Sequence, residues 1–219
     1  MLQIDHVSTA IASVRVLRDV NLTVGTGQMV GLVGRNGAGK TSLMRTVMGH
    51  LPVTGGRITF EDIDLSTRPK HARAALGIGF MQEDRGLVPE LTVEENILLP
   101  VWVSKSLKPK PRLDLVYGYM PELTEMRDRR ALQLSGGQQK LVALARALAV
   151  GTKLLLLDEP FEGVAPALAQ RLADVIGRLR AEKQSILISH SDMNHDKSLY
   201  DDVTVIERGA NAAAGAAAH

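Results

Sequence analysis

The 219 residues include 45% hydrophobic but only 3% aromatic side chains, and 26 Lys and Arg stand against 24 Asp and Glu. That is enough apolar side chain for one sizeable α/β domain, or for a domain carrying a small lobe. A net charge of +2 with so few aromatics gives neither a basic surface nor a base-stacking platform, so nucleic acid is not an expected partner.

Short apolar runs alternate with longer amphipathic stretches, the pattern of a mainly parallel sheet flanked by helices. Leu2–Val7 and Asn21–Val24 read as early strands, joined by a segment too short for a crossover helix, which predicts an antiparallel pair. Met29–Val33 reads as a buried strand running into a glycine-rich turn and a helix over Ser42–Met48. Arg57–Phe60 and Ile78–Met81 are further strand candidates. From about Thr92 to Ala149 the pattern is mostly helical, a lobe inserted into the α/β core. Lys108-Pro109-Lys110-Pro111 interrupts it as a predicted loop, since paired prolines do not continue a helix. Lys153–Leu157 returns as a buried strand, and Pro166–Lys183 follows as a helix with Leu168, Leu172, Val175, Ile176 and Leu179 on one face. Ser185–Ser189 and Val203–Ile206 close the sheet.

Gly209 to His219 is nearly all Ala, Gly and Asn, and reads as a flexible tail, native or appended, outside the fold. Cysteine is absent, which excludes disulfides and thiolate metal sites. The N-terminus lacks a signal-peptide pattern, and no apolar run approaches the ~18 residues of a spanning helix. A soluble chain that reaches a membrane only through partners is therefore expected. His6, His50, His71, His195 and His219 are scattered and read as surface residues, and Trp102 as a packing residue of the helical lobe.

Gly34-Arg35-Asn36-Gly37-Ala38-Gly39-Lys40-Thr41 matches G-x-x-x-x-G-K-[ST] between a strand and a helix, the setting a P-loop requires. Its glycines let successive N–H groups turn inward on a phosphate at a helix N-terminus that begins with Ser42. Lys40 would reach the terminal phosphates of ATP, and the Thr41 hydroxyl would ligate Mg²⁺. Leu154-Leu155-Leu156-Leu157-Asp158-Glu159 supplies the complementary acidic strand end. Four leucines suit a strand buried on both faces, which puts Asp158 at the sheet's carboxyl edge as a water-mediated Mg²⁺ ligand. Glu159 is then the candidate base for the attacking water.

Leu134-Ser135-Gly136-Gly137-Gln138 resembles the signature motif of the ABC ATPases, and the likeness runs from Leu2 to about Arg208. Ser135, Gly136 and Gly137, ahead of a predicted Gln138–Ala149 helix, form a second phosphate-seeking nest. The resemblance implies a P-loop NTPase core with an N-terminal antiparallel β element and an inserted helical subdomain over about 92–149. Residues 1–208 would be one ATPase domain. It further implies a head-to-tail dimer in which each signature closes over the partner's ATP. Gln82 resembles the Q-loop glutamine, which senses the γ-phosphate, contributes to the Mg²⁺ site and faces the membrane subunit. His190 matches the switch histidine that contacts the γ-phosphate, and Glu162-Gly163-Val164-Ala165-Pro166 the D-loop. Where the family usually stacks an aromatic on adenine, this chain has Ile11, with Val16 adding apolar contact.

Within the family, Glu83-Asp84-Arg85-Gly86-Leu87-Val88-Pro89, Leu91-Thr92-Val93-Glu94-Glu95-Asn96 and the Glu-Gly-Val-Ala-Pro segment resemble LivF-type subunits. Those subunits serve importers of branched-chain amino acids, and close relatives serve urea and short amides. The implied partners are a LivG-like ATPase or a second copy of this chain, two transmembrane permease subunits and, upstream, a periplasmic solute-binding protein. The implied location is the cytoplasmic face of the inner membrane, held peripherally. A non-hydrolysing regulatory module and the ATPase of an exporter are the alternative readings.

Overall fold

The computed structural model describes residues 1–191 and 199–212. In chain order the strands and helices begin with β1 (Leu2–Ile11), β2 (Val14–Val24), β3 (Met29–Val33), α1 (Lys40–Val47), β4 (Gly55–Phe60) and β5 (Ile63–Asp64). They continue with α2 (Ala72–Ala75), β6 (Ile78–Met81), α3 (Val93–Val103), α4 (Pro109–Tyr119), α5 (Gly136–Val150), β7 (Leu154–Leu157) and α6 (Pro166–Ala181). β8 (Ser185–His190), β9 (Asp202–Glu207) and β10 (Ala210–Asn211) complete the chain. Two compact units result: Met1–Lys70 with the described residues from Ser185 onward, and His71–Gln184. Among the described residues no helix is long and apolar enough to cross a membrane.

In the first unit β1 pairs antiparallel with both β2 and β4, and β5 folds back on β4. The early pair is antiparallel as expected, but both strands run far past the apolar stretches that announce them. Polar residues such as Arg15, Arg18 and Asp19 occupy exposed positions of β2 and mask its period. β3 lies parallel to β8 and to β9, and every residue of β3 and β8 is buried. Burial on both faces is what makes such strands read as solid apolar runs.

The expected tail begins later than its composition suggests. Ala210 and Asn211 pair antiparallel with Glu207 and Ile206. Asn211 also exchanges two hydrogen bonds with the backbone of Asn21, at 2.6 and 2.9 Å, and the Gly209 N–H donates to the Ala38 carbonyl at 2.8 Å. Ala, Gly and Asn carry no apolar period, so an edge strand held by one amide side chain is invisible to pattern. The remainder of that tail, with His195 and His219, lies outside the described residues. His6, His50 and His71 are exposed, as expected.

In the second unit β6 and β7 are parallel and fully buried, and α5 packs on both while α3 and α4 pack on α5. Thr92 caps α3 reciprocally: its hydroxyl accepts from the Glu95 N–H at 3.1 Å, and Glu95 accepts from the Thr92 N–H at 2.8 Å. Buried Asn96 accepts from the Val88 N–H at 2.8 Å and donates to the Val88 and Leu91 carbonyls, which secures the loop after β6. The predicted Lys108–Pro111 loop is instead the start of α4, with Lys108 as its N-cap. Proline lacks an N–H that a first helical turn leaves unbonded anyway, so Pro109 and Pro111 open this helix rather than break one. Trp102 is not a packing residue. It is 52% exposed, because it follows buried Val101 on α3 and a one-residue step turns a side chain about 100° away.

On α6, Leu172, Val175, Ile176 and Leu179 are buried as the helical period predicts, and Leu168 is half-buried. Its polar flank is anchored too. Arg171 grips Glu122 at 2.7 and 3.0 Å and donates to the Tyr119 carbonyl, while the Arg178 guanidinium lies 4.5 Å from the Tyr119 ring centre.

Candidate active site

The two units each bring a pair of the expected residues to one strand end. In the first unit Val33 lies opposite His190 in the parallel ladder, and the Gly34 N–H donates to the His190 carbonyl at 3.1 Å. The glycine-rich loop and the buried histidine therefore leave the same edge side by side. Gly34 must be glycine, since a Cβ there would come within 2.3 Å of the Ile206 carbonyl oxygen. Arg35, Asn36 and Gly37 are exposed, Ala38 is buried, and Gly39 caps α1 with φ 112°, a left-handed conformation that favours glycine.

Lys40 is the first residue of α1 and is buried, its ammonium donating to the Gly34 carbonyl at 2.5 Å and the Arg35 carbonyl at 3.2 Å. The cation thus lies across the mouth of its own loop. Thr41 and Ser42 follow half-buried on the first turn of α1. Val16 adjoins this turn, its carbonyl oxygen 3.4 Å from where a Cβ on Gly39 would sit. Ile11 stands at the tip of the β1–β2 hairpin opposite Val14, 49% exposed.

In the second unit Met81 lies opposite Leu157, and the Asp158 N–H donates to the Met81 carbonyl at 2.9 Å. Gln82 and Asp158 consequently emerge together. Asp158 and Glu159 are both buried, and Glu159 has φ 46°. A non-glycine residue held in the left-handed region costs about 1 kcal/mol or more and persists only where its surroundings impose it.

Lys140 braces the turn that follows Glu159. This α5 residue is 3% exposed and donates to the Glu159 carbonyl at 2.9 Å and the Glu162 carbonyl at 3.1 Å. Burial pulls its ammonium below the ordinary lysine value, and nearby Arg85 adds to that. Sequence reasoning passes over Lys140, although one lysine within the apolar run of α5 is a usable signal for a buried cation with fixed partners.

Ser135 caps α5 in a reciprocal box: its hydroxyl accepts from the Gln138 N–H at 3.2 Å and its N–H donates to the Gln138 side chain at 3.0 Å. Gly136 and Gly137 are themselves the first residues of the helix, rather than a turn ahead of it. Their N–H groups belong to the first-turn set that a helix leaves to outside acceptors. Arg85 donates to Gln139 at 3.1 Å, and Arg146 donates to the carbonyls of Arg85 and Gly86 at 2.7 Å each. The loop after β6 is thereby tied to the signature helix.

The likeness to known proteins agrees with this arrangement. Residues 17–162 match the ABC transporter family. The chain belongs to that family. As an ABC ATPase it is 36% identical over 197 residues to the lipopolysaccharide export system ATP-binding protein LptB of Escherichia coli K12, covering 89% of this chain and 82% of the relative. It is 35% identical over 209 residues to the high-affinity branched-chain amino acid transport ATP-binding protein BraG of Pseudomonas aeruginosa, covering 95% and 90%. The ABC ATPase fold is matched by a nucleotide-free ATP-binding cassette from an ABC transporter, with TM-score 0.82, 27% identity and coverage of 97% and 90%. An ABC cassette in its ADP conformation matches with TM-score 0.80, 28% identity and coverage of 97% and 89%.

Proposed function

We propose that this ABC ATPase powers a membrane transporter through ATP-driven closure of two such domains, each spanning residues 1–208 with the helical subdomain at about 92–149. The observation that carries this reading is the paired delivery of site residues at strand ends: Gly34 with His190, and Gln82 with Asp158. The loop from Gly34 to Thr41, with Ser42, holds the phosphates of ATP, and Ile11 and Val16 offer the base apolar contact. Glu159 takes the proton of the attacking water, and Gln82 and His190 bear on the γ-phosphate. Ser135, Gly136, Gly137 and Gln138 close over the partner's nucleotide, and Glu162–Pro166 couples the two sites.

The resemblance to the family makes Thr41, Gln82 and Asp158 the proposed Mg²⁺ ligands, and hydroxyl, amide and carboxylate oxygens are the hard donors such an ion takes. An ion so held would neutralise phosphate charge.

The finer reading is an importer of branched-chain amino acids or a related small solute, working peripherally at the inner membrane. Its companions are a second copy or a LivG-like ATPase, permease subunits and a periplasmic binding protein. The BraG likeness, reaching 95% of this chain, supports it together with the LivF-like segments. The LptB likeness favours an exporter as the second reading. Co-purification of the membrane partner separates the two.

Glu159→Gln tests the core proposal. The variant should lose ATP turnover by at least ~100-fold, as removal of a general base does. It should also elute as a dimer on sizing only when Mg-ATP is present. A variant that still turns over ATP at the parental rate rules out Glu159 as the base.

A further inference from the structure

Tyr200 is a residue that the P-loop, acidic and signature motifs do not assign, and it lies against His190. Its hydroxyl is 2.5 Å from His190 Nε2, and the two rings meet edge to face with centres 5.7 Å apart. Its ring is laid on β3 at Gly31, where an added Cβ would come within 3.3 Å of the ring carbons. A small residue inside an otherwise bulky, buried strand is what admits the tyrosine. The His190 carbonyl is at the same time bonded to the first residue of the phosphate loop. Both ends of the histidine are therefore fixed, backbone to Gly34 and ring to Tyr200.

The direction of the ring bond follows from chemistry. Burial pushes the Tyr200 phenol up to about 12, so it keeps its proton at neutral pH. The tyrosine is half-buried, and its O–H has Nε2 in place as an acceptor. Nε2 can accept only in the neutral imidazole whose proton sits on Nδ1.

Resting on the ATPase reading above, we propose that Tyr200 is a positioning residue for His190: it holds the imidazole in one rotamer and in the Nδ1–H form, and so sets the ring that the reaction uses. Tyr200 acts through the histidine, the ring its hydroxyl meets. Because it prearranges a group that bears on the γ-phosphate, its hydroxyl serves turnover rather than nucleotide capture.

Tyr200→Phe isolates the hydroxyl, since the phenyl ring keeps its seat on Gly31. In the full-length chain labelled with ¹⁵N-histidine, long-range proton–nitrogen spectra read the tautomer, and loss of signals in His190→Gln assigns His190. The parent should show His190 protonated on Nδ1 alone. Tyr200→Phe should shift it toward the Nε2–H form, lower kcat roughly three- to tenfold, the worth of one hydrogen bond, and leave KM for ATP unchanged. An Nε2–H histidine in the parent, or a variant with parental tautomer or parental kcat, overturns the proposal. A parent that turns over no ATP would sink the ATPase reading instead, and the tautomer comparison would still judge the hydrogen bond.

Discussion

Lys140 carries a charge into a site with 3% exposure and has backbone carbonyls as its partners there, a combination that stability alone does not favour. Its value lies in what it holds. The Glu159 and Glu162 carbonyls are the two ends of the turn that Glu159 opens at φ 46°. Lys140→Met fills the same volume and removes the desolvated cation and its two hydrogen bonds, leaving the Glu159 carbonyl only the Glu162 N–H at 3.2 Å. The variant should fold with a melting temperature near the parent's. Its kcat should fall on the order of tenfold, because a displaced catalytic group loses near-attack geometry, while KM for ATP stays put. Melting curves and steady-state kinetics on one preparation check both halves, and an unchanged kcat would show that the turn does not need Lys140. Neither this contact nor that of Tyr200 is legible in the sequence. The partners are 19 and 10 residues apart and belong to no shared period. The glycine loop, the Asp158–Glu159 pair and the Ser135–Gln138 motif are legible because their spacing is itself the chemistry.

At the level of elements, β3 and β6 are readable to the residue, since parallel strands buried on both faces carry no polar side chain from end to end. The N-terminal hairpin is half-readable because its outer positions face solvent and carry charge. The α4 boundary inverts the usual rule, since the same prolines that end a helix from inside begin one from outside. The anchoring of α6 through Arg171 and Glu122 is a tertiary fact with a pH signature. Burial by itself would raise the Glu122 carboxyl, but hydrogen bonds from Arg171 more than offset that and hold it below its ordinary 4.5. A depressed folded value means the contribution is present above the unfolded value and is lost as pH falls through the folded one. Both side chains are about a third exposed, so solvent screening limits the pair to about 1 kcal/mol or less. Glu122→Gln should therefore cost up to that much at neutral pH. In urea melts the gap between parent and variant should close below about pH 4.5, and a gap constant with pH would mean the carboxylate charge contributes nothing.

At the scale of the whole molecule, the order of motifs along the chain names the family. What this scale adds, on the proposed reading, is a requirement for two chains. The signature starts α5 with first-turn N–H groups on Gly136 and Gly137, and on the proposed reading their acceptor is a nucleotide held by the other chain. Two defects in different chains should then complement. Lys40→Ala removes the phosphate-loop cation but leaves a sound signature. Ser135→Glu sets a carboxylate at the α5 N-terminus, where it occupies those donors and repels phosphate, but leaves a sound phosphate loop. Each variant alone builds only broken sites and should be inactive. Mixed in equal amounts, half of the dimers pair one of each, and each mixed dimer holds one complete site of its two. Phosphate release should then recover to roughly a quarter of the parent's, if the two sites of a symmetric pair work independently. The recovery should track the mixing ratio, with its maximum at equal proportions. If no ratio restores any turnover, two copies of this chain do not share sites, and the second ATPase of the pair is a different chain.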